Sequence, residues 1–202
     1  MVFNSFTMIG SRILAAALST LLCISVKAEV LVAPSSSGWR YFKGLSEAST
    51  PDIGAWRQLG FNDGSWGTGS TPFYYGEQVN RGTLLSDMRN NYSSVFLRKT
   101  FNIADFDQIA AVDLDARADE GFVAWINGQV VASKLAPANI TFDAVSAGNA
   151  PEPASFESFP VPLGYLREGE NVLAEQFFNV SLTGSRDALL GAQVGYEFQD
   201  GL

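Results

Sequence analysis

Asn127-Gly128 sits between two short runs of apolar and aromatic residues, directly after the acidic segment Ala118-Asp119-Glu120-Gly121. Asn and Gly accept the positive φ that a two-residue type I′ turn demands, and the twist of that turn matches the strands it joins. The pair therefore predicts a β-hairpin, 122–126 against 129–133. Chain elsewhere follows the same grammar: short segments of alternating, β-branched and aromatic residues, punctuated by Gly, Pro, Asn and Asp.

Further strands are predicted over 39–43, 94–101, 109–116, 172–179 and 189–198. In the last, Leu190, Ala192, Val194, Tyr196 and Phe198 share one face while Gln193 and Glu197 occupy the other, the period of a half-buried strand. Segment 172–179 carries apolar residues on both faces, as expected of a central strand covered on both sides. Residues 34–91 read as an opening strand followed by long ordered loops, and 136–153 as a second long connection. With no long amphipathic helix in the pattern, the expectation is an all-β fold, a two-sheet antiparallel β-sandwich.

Residues 1–28 read as a secretory signal peptide. Arg12 closes a mildly basic start, 13–24 are apolar, and Val26-Lys27-Ala28 offers small residues for cleavage. The apolar run, about 12 residues, is shorter than the roughly 20 needed to span a bilayer. Cys23 follows the bulky Leu22 rather than the small residue of a lipoprotein signal, so it reads as part of the apolar run. The mature chain is expected to begin near Glu29 and to be secreted, periplasmic or on the cell surface, with 29–202 forming a single β-sandwich domain.

Cleavage there removes two of the 13 basic residues and none of the 21 acidic ones, bringing the net charge from −8 to about −10. So acidic a surface, without a basic cluster, opposes nucleic acid and anionic membrane, and neither is an expected partner. The chain has no His, and its only Cys lies in the signal. Ser-His-Asp, Cys-His and zinc chemistry and disulfides are thereby excluded from the mature chain, which must rely on its hydrophobic core.

Three blocks in series resemble a family of secreted bacterial modules with the galactose-binding-domain-like jelly roll. The first is Trp56-Arg57-Gln58-Leu59-Gly60-Phe61-Asn62-Asp63-Gly64-Ser65-Trp66 with Pro72-Phe73-Tyr74-Tyr75-Gly76. The second is Phe96-Leu97-Arg98-Lys99-Thr100-Phe101 followed by Ala118-Asp119-Glu120-Gly121 and the Asn127-Gly128 hairpin. The third is Leu166 to Phe177 with Ser185-Arg186-Asp187. The chain departs from the family at Glu120, where a second Asp is usual, and at Phe177-Phe178, where a His is frequent. The resemblance implies a binding or accessory jelly roll, with an extracellular glycan or a neighbouring extracellular module as partner.

Candidate ligand-binding residues are Trp66, Tyr74, Tyr75, Asp119, Glu120 and Trp125. Trp66, Tyr74 and Tyr75 fall in a predicted loop, where aromatic rings could stack on a sugar. Trp125 lies mid-strand and either presents such a ring or packs beneath a long loop, the commoner fate of a large aromatic. Exposure of the four rings separates a sugar platform from a purely structural module.

Asp113, Asp115, Asp119 and Glu120 are the densest acidic group. A solvated face is the expected reading, with no cofactor. Calcium is the alternative, because it is the hard cation suited to oxygen ligands. The spacing is not that of an EF-hand, since counting from Asp113 puts Ala118 and Ala124 where that loop needs Gly and Glu. Asp113 and Asp115 share a strand face roughly 6.5–7 Å apart, a separation glycosidase carboxylates can have. No other feature supports an enzyme, and the expectation is a non-catalytic module.

Overall fold

The computed structural model describes residues 28–152 and 154–198. The signal-peptide reading falls, apart from Ala28, outside the described residues. Among the described residues twelve strands form two packed sheets, and the all-β sandwich is the observed architecture. In chain order they are β1 (Ala28–Val32), β2 (Trp39–Lys43), β3 (Gly67–Gly69), β4 (Phe73–Tyr75), β5 (Thr83–Leu84), β6 (Ser94–Ile103), β7 (Ile109–Ala118), β8 (Gly121–Ile126), β9 (Gln129–Lys134), β10 (Glu157–Pro160), β11 (Gly169–Phe178) and β12 (Ala188–Phe198).

One sheet runs β10-β7-β12-β4-β5, with β1 also paired to β12; the other runs β3-β2-β6-β11-β8-β9. All pairings are antiparallel except β4 with β5. The β8–β9 turn has Asn127 at φ 51° and Gly128 at φ 83°, both positive as a type I′ turn requires. Central strand β11 lies between β6 and β8, and its residues from Asn171 to Phe178 are all buried.

Alternation builds the main core. Val112, Leu114, Ala116 and Ala118 of β7 and Leu190, Ala192 and Val194 of β12 face Leu97 and Phe101 of β6, Leu173 and Phe177 of β11, and Phe122, Ala124 and Ile126 of β8. Glu175 shares the inward face of β11, fully buried, with neither carboxylate oxygen hydrogen-bonded. Burial pushes its carboxyl up to about 8.

The other face of the β6-β11-β8 sheet carries a second, smaller core. Phe96, Val123, Trp125, Ala174 and Phe178 are covered there by Trp56 and Trp66 from the loop after β2. Trp56 meets Trp125 edge-on at 5.5 Å, and the Arg57 guanidinium lies 4.1 Å from the Trp125 ring centre. Buried Arg98 pins the same loop, donating from Nε to Asp63 at 2.8 Å and from Nη1 to the carbonyls of Trp56 and of Gln58, the latter at 3.0 Å. The covering loop needs this anchor because its own strand content is slight.

Candidate functional site

Two crossovers between the sheets meet at one end of the sandwich. Asp119 and Glu120 connect β7 to β8, and residues 179–187 connect β11 to β12. The register holds these ends together, with Phe178 opposite Gly121 and Leu190 opposite Ala118. Tyr75 pairs with Ala188, which brings Gly76 and Glu77 to the same end. Gly76 has φ +71°, and a Cβ there would sit 2.1 Å from the Arg186 carbonyl, so only glycine allows the two loops to touch. The long connection after β9 closes the end, its Ala150 N–H donating to the Asp119 carbonyl at 2.8 Å.

These segments enclose a cavity of about 430 Å³. Asp119, Glu120, Asn149, Glu152, Ser185 and Asp187 are among its lining residues, and Arg186 contributes its one basic side chain. Arg186 makes no ion pair with these carboxylates among the described residues. Asp119 and Glu120 are only 3% and 4% exposed. Asp119 Oδ1 accepts the Leu189 N–H at 2.8 Å, while Oδ2 is buried without a hydrogen-bond partner.

Ser185 Oγ lies 3.1 Å from Glu120 Oε1 and donates to the Asp187 carbonyl at 2.8 Å. A hydroxyl has one proton, so both contacts are satisfied together when Glu120 carries its own. Burial, then the Asp119 charge, raises the Glu120 carboxyl to about 8. Asp119 is raised to about 7, first by burial and then by the negative charges of Glu152 and Asp187, against the opposing Leu189 hydrogen bond. Half-exposed Glu77 is shifted upward too, by desolvation and then by Glu152.

Several candidate residues are placed differently from expectation. Trp66 is buried in the smaller core, 7% exposed, rather than in an open loop, whereas Trp125, 2% exposed, packs beneath the loop after β2, the commoner of the two fates expected for it. Tyr75 is in strand β4 rather than a loop, and it points into the main core, where its hydroxyl accepts from Asn179 Nδ2 at 2.7 Å. Tyr74, on the opposite face of β4, is half-buried. These four rings form no exposed stacking platform.

The acidic quartet is split. Asp113 and Asp115 lie on the outer face of β7 beside Gln193 and Ser158, and Asp115 Oδ2 accepts from Gln193 Nε2 at 2.7 Å. β7 continues straight to Ala118, so the chain does not curl back to bring them to Asp119 and Glu120. Nor are Asp119 and Glu120 a solvated face, since loops bury both. Glu77, Asp119 and Glu152 converge instead, one carboxylate oxygen from each lying within 4.8 Å of the others. Glu77 and Glu152 come from loops with no distinguishing sequence pattern, and only the fold brings them here.

No family model matches the chain, and no curated protein does. Solved structures do match it. β-Glucuronidase 2 of Bacteroides uniformis, covalently bound to cyclophellitol-6-carboxylate aziridine, aligns over 84% of this chain and 18% of its own, at 13% identity and TM-score 0.51. A β-glucuronidase from glycoside hydrolase family 2 aligns over 87% and 18%, at 14% identity and TM-score 0.50. This chain shares the sandwich fold of their matching portion. It spans less than a fifth of those enzymes' length, so the likeness is one of domain architecture.

Proposed function

We propose that this chain is a secreted, non-catalytic accessory module that holds a carbohydrate in the acidic cavity at the loop end of the sandwich. The observation that carries the reading is a cavity of monosaccharide size lined by the carboxyl-bearing residues Asp119, Glu120, Glu152 and Asp187. Sugar hydroxyls are donors that need such acceptors, and Asn149, Ser181 and Arg186 add polar groups of the other sense. The sandwich likeness to portions of β-glucuronidases supports a carbohydrate-associated role, and the N-terminal signal features support export.

The charge of the cavity narrows the ligand. Four carboxyl groups line it against one guanidinium, so an anionic uronate is disfavoured and neutral sugars fit best. A glycan array probed with the purified protein tests this. Binding to neutral glycans that is lost in Arg186→Ala supports the reading, whereas preference for uronates or indifference to Arg186 contradicts it.

A purely structural accessory role is the second reading, favoured by the burial of Trp66, Tyr75 and Trp125. Failure of a folded protein to bind any glycan would select it.

A further inference from the structure

We propose that Glu77, Asp119 and Glu152 form a calcium site at the loop end of the sandwich. Their carboxylate oxygens lie within 4.8 Å of one another. Calcium takes oxygen ligands at about 2.3–2.6 Å, so oxygens on one ion can stand up to about 5 Å apart, and the three need no large movement to share one. Magnesium, at about 2.0–2.1 Å in a near-ideal octahedron, would require them to close in. Without His or Cys in the set, soft and borderline metals gain nothing here.

Within the cluster, Asp119 is the buried member. It is 3% exposed, and its Oδ1 is engaged by the Leu189 amide, leaving Oδ2 buried and unpartnered. A buried carboxylate oxygen without a hydrogen-bond donor is costly, and the basic side chain lining the cavity, Arg186, makes no ion pair with it among the described residues. A divalent cation satisfies that oxygen and offsets the mutual repulsion of the three carboxylates. Three segments far apart in sequence supply the ligands: the turn after β4, the β7–β8 crossover and the connection before β10. An ion there ties them together. The site stands whether or not a sugar enters the cavity.

Calorimetric titration of the chelator-stripped protein with calcium chloride, with no glycan present, tests the proposal. Extracellular modules bind calcium on the order of 0.1–1 mM, so binding in or below that range is expected, with magnesium weaker. Glu77→Gln and Glu152→Gln should each weaken it by about tenfold or more and remove the calcium-induced rise in melting temperature. Asp113→Asn, an equal charge change on the outer face of β7, should leave both unchanged. No binding at millimolar calcium, equal affinity for magnesium, or equal loss in Asp113→Asn would overturn the site. Because the titration contains no glycan, failure of the calcium site is distinguishable from failure of glycan binding on the array.

Discussion

Asn127 Nδ2 donates to Asn171 Oδ1 at 2.8 Å, joining the tip of the β8–β9 hairpin to the first residue of the buried part of β11. Asn127 also donates to the Tyr165 carbonyl at 2.8 Å, and its Oδ1 accepts the Val172 N–H at 3.0 Å. The residue chosen for its positive φ is thus also the clamp between two of the sequence blocks. Asn127→Gly keeps the turn conformation and deletes the clamp, so its cost reports the hydrogen bonds. A loss of about 1–3 kcal/mol is expected in urea denaturation. An unchanged midpoint would show the clamp to be idle.

Phe101, in the main core near the end of β6, has no polar duty that complicates its removal. Phe101→Ala should cost on the order of 3–5 kcal/mol, through lost burial and the cavity left behind. A loss under about 1 kcal/mol would place the ring outside the cooperative core.

Glu175 gives the fold a pH dependence of definite sign. Opposite Leu97 and Ala124 and flanked on its own face by Leu173 and Phe177, it meets no counter-charge. Its carboxyl titrates near 4.5 when solvated and about 8 when folded, so the unfolded chain releases a proton that the folded chain keeps. Its contribution is fully favourable below pH 4.5 and is lost as pH rises to about 8, a difference on the order of 3–5 kcal/mol. Glu175→Met, which fills similar volume without charge, should be more stable than the native chain at pH 8 and should narrow that advantage toward pH 4.5. Asp119 and Glu120 titrate in both proteins, so the difference between the two urea curves isolates Glu175. Parallel pH profiles would contradict its isolation.

Much of the sandwich was legible because alternation survives wherever one strand face is buried. The 109–116 and 189–198 patterns mark β7 and β12 almost to their ends, and Asn127-Gly128 marks its own turn. Strands β1, β3 to β5 and β10 carried no such signal. β10 is Glu-Ser-Phe-Pro, whose proline is tolerated because the strand lies at a sheet edge. β1 overlaps the expected signal cleavage point, and β3 to β5 are too short to show a period.

The site was half legible. Asp119-Glu120 stood out, but a charged pair in a turn reads as solvated, and its burial depends on three loops closing over it. Glu77 and Glu152 reach it only through strand register. Trp66 misled for a related reason: its own segment gives no direct sign that it roofs the outer face of a sheet as part of a loop held by Arg98 and Asp63.

In the function proposed above, the loop end and not an aromatic face receives the ligand. Amide chemical shifts recorded while the protein is titrated with a neutral oligosaccharide identified on the array test it most directly. Saturable shifts concentrated at Asp119, Glu120, Asn149, Ala150 and 180–187 are expected. Shifts centred instead on Tyr41, Leu45 and Trp66 beside the smaller core, or none at saturating sugar, would contradict it.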